Sequence, residues 1–204
     1  MEEVKQRDIS TSAACRDFEN NRKPRVLLSV SGSVAAIKTL ELYTLLKKSS
    51  DVKIIATKPG MHFIDGIEKG EEPMPIYLDG MEWESWKAKG DDVLHIILRN
   101  WADINIIAPL SANTLAKVAN GICDNLLTSV VRAWDFKKPI IIAPAMNTLM
   151  WENPFTQKHL DTCQEMGFKV VPPVSKKLAC GDVGMGAMAD PLEIVRAFEQ
   201  TVLQ

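Results

Sequence analysis

The feature that most constrains this chain is a series of short apolar runs that do not alternate with polar residues. They read "RVLLSVS" at 25–31, "VKIIAT" at 52–57, "INIIAPL" at 104–110, "PIIIAPA" at 139–145 and "KVVPP" at 169–173. A strand with one wet face shows a period of two. A strand covered on both faces loses that period and fills with Val and Ile. Between these runs lie segments with helical spacing: "SVAAIKTLELYTLLKKS" (33–49), "SANTLAKVANGICDNLLTSVVRAW" (111–134), "NPFTQKHLDTCQEM" (153–166) and "DPLEIVRAFEQTVL" (190–203). The second would carry Leu115, Val118, Ala119 and Ile122 on one face, and the last two place a proline at an early helical position. Strands alternating with helices predict an α/β fold built on a doubly wound parallel sheet. In "EWESWKAKGDDVLHIILRNWAD" (82–103) the spacing predicts a helix from about Val93 to Trp101, with Trp83 and Trp86 free to cap a loop onto the core.

Nothing in the middle of the 204 residues reads as a linker, so a single domain over 24–204 is expected behind a flexible polar tail at 1–23. A chain of this length buries roughly 70% of its unfolded surface and needs no disulfide or metal staple. An apolar fraction of 46% and a formal charge of −2 suggest neither a nucleic-acid footprint nor a disordered tract. Cys15, Cys123, Cys163 and Cys180 lie far apart, with no C-x-x-C and no histidine at ligand spacing, so reduced thiols and no metal are expected. The tail contains Glu2, Glu3, Asp8, Asp17 and Glu19, unlike an acid-poor targeting leader. No apolar run approaches the ~18 residues of a membrane span. A soluble, cytoplasmic protein is the expectation.

Ligands of open parallel sheets bind outside the carboxyl ends of the strands. The first such end, "SGSVAAIK" (31–38), offers Gly32 for close backbone approach, Ser33 as an N-cap and free N–H groups for a phosphate. An ordinary strand-to-helix turn would look the same. The full G-x-G-x-x-G pattern and Walker A are absent, and the second end, "ATKPG", has no acid for a ribose, which disfavours a dinucleotide. At the third end Pro109 is expected to stop the strand. Ser111, Asn113 and Thr114 then crowd the next helix start, where capping explains one polar group and a ligand would explain three. The fourth end, "PAMNTLMW" (144–151), sets one amide, Asn147, among Met146, Met150 and Trp151. Methionines of this kind often only fill space.

Taken together, "SGSVAAIK", "APLSANTLAKVANGICDNLLTSVVRAWD", "PAMNTLMW" and "LACGDVGMGAMAD" resemble the homo-oligomeric flavin-containing cysteine decarboxylases. The likeness is to the eukaryotic, plant-like phosphopantothenoylcysteine decarboxylases of coenzyme A biosynthesis, over roughly residues 24 to 195. It implies a Rossmann-like flavoprotein fold, FMN as cofactor and a homotrimer with FMN between subunits. Gly32, Ser33 and Val34 would hold the phosphate side. Thr57, Lys58 and Pro59 would follow the second strand against the cofactor, Ser111, Ala112, Asn113 and Thr114 would complete the cradle, and Ala145 would lie against the flavin. Asn147 would bind the substrate carboxylate or adjoining amide, with Lys177 and Ala179 also at the substrate. Lys176 and Lys177 are candidates for its phosphate, and solvated surface lysines are the plainer alternative.

The implied reaction converts 4′-phosphopantothenoylcysteine to 4′-phosphopantetheine. A cysteine-derived carboxylate lacks a β-carbonyl to accept the electron pair left by CO2, and flavin supplies the sink by oxidising the carbon that bears sulfur. The resulting thioaldehyde decarboxylates to an enethiol, which must then be reduced and protonated. The family assigns that proton to the cysteine of "ACGD", here Cys180, and Gly181, Gly184 and Gly186 would let the segment fold over substrate as a lid. His95 matches the family's essential histidine, as acid/base or in positioning. His62 and His159 have no such match. Asn100 stands where the family usually carries a second basic residue, and Ser129 where a cysteine is common. Two other readings compete: decarboxylation of a peptide's C-terminal cysteine, and a non-catalytic flavin-binding regulator of a protein phosphatase.

Overall fold

The fully apolar runs are strands because each is covered twice. The computed structural model describes residues 22–65, 73–177 and 183–202. The tail at 1–21 lies outside them, as do Cys15, Ala179, Cys180 and Gly181. Strands β1 (Arg25–Val30), β2 (Asp51–Ala56), β3 (Ile76–Tyr77), β4 (Ile104–Leu110), β5 (Ile140–Pro144) and β6 (Lys169–Val170) form one sheet in the order β3-β2-β1-β4-β5-β6. Every neighbouring pair in it is parallel. This is the doubly wound Rossmann-like arrangement.

Successive residues of β1 explain the missing alternation. Val26, Leu28 and Val30 pack on one layer, with Leu42 and Leu46 of α1 (Thr39–Lys47) and Ile194 and Phe198 of α9 (Pro191–Val202). Leu27 enters the opposite layer, with Leu98 of α4 (Leu94–Trp101), Leu115 of α5 (Ala112–Ala119), Leu127 of α6 (Leu126–Arg132) and Leu160 of α8 (Pro154–Glu165). The remaining helices are short: a 3-10 turn at Val34–Lys38, then α2 (Lys58–Ile64), α3 (Asp79–Ser85) and α7 (Thr148–Trp151).

Three expectations need correction. The stretch at 111–134 is two helices, because Gly121 takes a left-handed φ of +70° after α5 and Asn125 caps α6 anew. Ile122 therefore leaves the helical face and is 48% exposed. Pro109 does not stop the third strand: the strand runs on to Leu110 across a cis Ala108–Pro109 bond, and Pro109's carbonyl is put to use as an acceptor. Trp83 and Trp86 do not cap a loop onto the core, since they are 78% and 51% exposed and Trp83 lies in α3. In addition, β7 (Val174–Lys177) and β8 (Val183–Ala187), which no apolar run announces, form an antiparallel ribbon separate from the main sheet.

The amino end of β1 is tied down by Asp103, in the turn before β4. Its carboxylate takes two bonds from the Arg22 guanidinium, at 2.6 and 2.8 Å, and one from the Arg25 N–H at 2.8 Å. Burial pushes the Asp103 pKa up, but the Arg22 hydrogen bond, the Arg25 N–H and the charges of Arg22 and Lys138 together hold it below the usual carboxylate range. A lowered folded-state pKa gives stability that is complete above the unfolded value of about 3.9 and is lost as pH falls through the folded one. Asp103→Asn should therefore lose about 1 kcal/mol at neutral pH, the scale of a part-exposed bidentate pair. The gap to the native protein should close on acidification. Urea midpoints measured at neutral pH and near pH 3 check this, and an equal gap at both would contradict it.

Candidate functional site

The winding reverses between β1 and β4, which opens a crevice at their carboxyl ends. Ser31, fully buried at the end of β1, holds the two sides together. Its N–H and its hydroxyl both donate to the Pro109 carbonyl, at 3.2 and 2.8 Å, while its Oγ accepts from the Ser111 N–H at 2.8 Å.

Around this junction four neighbouring strands each hand over to a helix through a capping side chain. Thr57 Oγ1 after β2 accepts from the Gly60 N–H at 3.1 Å, and Ser33 Oγ after β1 from the Ala35 N–H at 3.4 Å. Ser111 Oγ after β4 accepts from the Thr114 N–H at 3.3 Å, and Asn147 Oδ1 after β5 from the Leu149 N–H at 2.9 Å. The polar residues expected to meet a ligand are thus brought into one row, and each also terminates a helix. Of the others, Lys58, Pro59 and Asn113 are exposed, Val34 is 44% exposed, Gly32 and Ala112 are half-buried, and Thr114 and Ala145 are buried.

Gly32 is required for a reason other than ligand approach. A Cβ there would stand 2.5 Å from Pro59 Cβ, and one at Gly60 would stand 2.7 Å from the Val30 carbonyl oxygen. The pair of glycines lets α2 start directly against the end of β1.

The "PAMNTLMW" segment is gripped from both sides. The Ala145 N–H donates to the Leu110 carbonyl and the Met146 N–H to the Gly186 carbonyl, each at 2.9 Å. A Cβ on Gly186, whose φ is +130°, would lie 2.3 Å from the Met146 oxygen, and one on Gly184 would lie 2.6 Å from Thr148 Oγ1. These glycines seat β8 on α7; Ala179 and Cys180 lie outside the described residues. Met146 is buried in the core, Trp151 is half-buried and Met150 is 49% exposed. Lys176 is exposed on β7, and the backbone of Lys177 pairs with Val183.

His95 stands in the first turn of α4, with its Nδ1 hydrogen-bonded to Glu82 Oε1 on α3. Their side chains are only 26% and 13% exposed. Helix α3 is itself pinned by Asp79, whose Oδ1 accepts from the Leu126 N–H at the start of α6 at 2.9 Å. Among the described residues no hydrogen bond joins His95 to the row of caps. Asn100 is exposed on α4. His62 lies on the surface with its ring edge-on to Phe63, and His159 meets Asn120 at 3.4 Å. Cys163 is a core residue whose thiol burial pushes up to about 12, whereas Cys123 is exposed.

Three residues of this neighbourhood carry no pattern a sequence reader would single out. Ser31 is one of three small residues in "SGS". Thr148 looks like helix filler, yet its buried Oγ1 has no hydrogen-bond partner among the described residues. Glu82 lies thirteen positions before His95, beyond any helical or strand period.

The Flavoprotein family model matches residues 16–203. The chain belongs to the flavoprotein family. Within it, this flavoprotein is 57% identical over 175 residues to a phosphopantothenoylcysteine decarboxylase of Oryza sativa subsp. japonica, covering 86% of this chain and 79% of that one. Among solved structures it is similar to a PPC decarboxylase cysteine-to-serine mutant complexed with pantothenoylaminoethenethiol, with 53% identity, a TM-score of 0.82 and coverage of 88% and 100% of the two chains. It is also similar to the FMN binding protein AtHal3, with 54% identity, a TM-score of 0.79 and coverage of 88% and 98%.

The seat of the ribbon can be tested directly. Gly186→Ala in this flavoprotein should cost about 1–3 kcal/mol through its positive φ, with more from the clash with Met146. Urea unfolding would show it. Unchanged stability would mean that β8 is not held against the Met146 carbonyl as described.

Proposed function

We propose that this chain is a cytoplasmic, FMN-dependent phosphopantothenoylcysteine decarboxylase that acts as a homotrimer and makes 4′-phosphopantetheine for coenzyme A. The observation that carries the reading is the sustained identity with the rice decarboxylase, over most of both chains. The crevice suits the cofactor. Val34 and Ile37, in the turn after β1, and Met150, in α7 after β5, are 44%, 53% and 49% exposed, apolar surface of the kind a flat ring would cover. The Thr148 hydroxyl beside Asn147, which has no partner among the described residues, is the kind of buried polar atom that a ligand satisfies.

In this reading Gly32, Ser33 and Val34 hold the phosphate side of FMN, and Ser111, Ala112, Asn113 and Thr114 complete the cradle. Thr57, Lys58 and Pro59 approach from β2, and Ala145 underlies the ring. Bound FMN supplies a reversible two-electron sink, which lets CO2 leave a carbon skeleton that has no carbonyl of its own to take the electron pair. The protein's residues do the rest. Asn147's amide nitrogen donates to the substrate carboxylate, and Met150 and Trp151 keep water from competing for it. Lys176 and Lys177 meet the substrate phosphate, while Ala179 lines its path. Cys180 delivers the final proton to carbon, and His95 positions the substrate or exchanges a proton with it. The related cysteine-to-serine structure with an enethiol-named ligand supports the proton-donor role, since loss of a donor should leave that species unconsumed. Among the described residues no helix is long and apolar enough to cross a membrane.

The trimer accounts for two observations. Among the described residues His95 has no hydrogen bond to the caps of its own chain, as a residue serving a neighbour's crevice would not. Met81, Trp83, Trp86, Val93 and Ile97 also expose a broad apolar surface across α3 and α4.

Purified protein should be yellow, release CO2 from phosphopantothenoylcysteine and leave a peptide ending in cysteine untouched. Cys180→Ser should release CO2 but accumulate the oxidised enethiol, as read by product mass. A colourless oligomer that refuses FMN ends the reading; normal amounts of reduced product from the serine variant end only the cysteine's role. Trp83→Glu should shift the protein to a smaller species on size-exclusion chromatography, because burying one such ring contributes up to ~3 kcal/mol per contact. Unaltered size would count against this face as the subunit contact.

A further inference from the structure

Glu82 holds His95 in an arrangement that goes beyond a surface ion pair. Both side chains are largely shielded from water, at 13% and 26% exposure, so neither is a solvated charge that merely drifts near the other. The carboxylate is fixed from behind. Asp79, one turn earlier on α3, anchors that helix to the first N–H of α6, and so Glu82 faces α4 from a braced position. Below His95 on its own helix, Leu98 is fully buried, which fixes α4 against the sheet. The two partners are therefore held by two independently anchored helices.

The chemistry of the contact has one outcome. A carboxylate only accepts hydrogen bonds, so the imidazole nitrogen facing it must carry a proton. Nδ1 faces Glu82, and among the described residues Nε2 has no hydrogen-bond partner. Building on the decarboxylase reading above, we propose that Glu82 is the positioning residue for His95. It keeps the proton on Nδ1, fixes the ring plane, and commits Nε2 to the substrate. An orienting carboxylate behind a working imidazole is a general device for selecting one tautomer. An amide in its place would not select, because it can donate to Nδ1 as readily as accept from it.

Nitrogen NMR of the FMN-loaded protein with labelled histidine separates the tautomers directly, with His95→Gln identifying its signals among those of His62 and His159. The native ring should carry its proton on Nδ1, Glu82→Gln should give a mixture, and Glu82→Asp should restore the native pattern in part. In turnover, Glu82→Gln should lower kcat by about ten-fold or more with KM little changed, at unaltered flavin absorbance and oligomer size, and Glu82→Asp should recover part of the loss. A native ring with its proton on Nε2 overturns the proposal, as does a Glu82→Gln protein with full kcat while His95→Gln is inactive. Native protein with no decarboxylase activity would sink the function proposed above, and the tautomer measurement would still decide whether Glu82 sets the ring.

Discussion

Everything in this fold follows from covering a parallel sheet on both faces. Strands that run the same way cannot be joined by tight hairpins, so each must return through a helix, and every helix must begin at the same edge. Helix starts expose unpaired N–H groups, and those groups need acceptors. The sequence meets that need with Thr57, Ser33, Ser111 and Asn147, one at the end of each of four adjoining strands. The polar character of the crevice is therefore a by-product of the architecture before it is a property of any ligand.

Ser31 turns this row of caps into a single body. By accepting from Ser111 and donating to Pro109 it fixes the offset between β1 and β4 at the point where their connections diverge. Gly32 and Gly60 then bring the start of α2 hard against β1, closing one flank. A rigid edge of this kind fixes small acceptors and donors relative to one another without help from a ligand, which is what a site built for a defined cofactor requires.

How much of this can be read without coordinates depends on the range of the forces involved. The strands are legible because double burial leaves a direct mark: Leu27 and Leu28 point to opposite layers and both must be apolar. The caps are legible because Ser, Thr and Asn favour helix starts. The break between α5 and α6 was hidden by an apolar pattern that continues across it, while Gly121 and Asn125 decide the matter locally. Pro109 misleads because its missing N–H suggests a strand end, whereas its carbonyl is the acceptor Ser31 needs. Gly32 invites a ligand explanation, and only the packed structure shows Pro59 against it. The pairing of Glu82 with His95 joins two helices through a loop, so no local periodicity announces it. FMN, by contrast, follows from the resemblance and from relatives, not from any one strand end.

Among the described residues the ribbon of β7 and β8 shares no hydrogen-bonded edge with the six-stranded sheet, and it is fastened at Met146 through Gly186. The two described strands of the ribbon can therefore shift or change without breaking a rung of the layers beneath. A chain organised this way has a ready place for change, where substitutions leave the rungs of the main sheet intact.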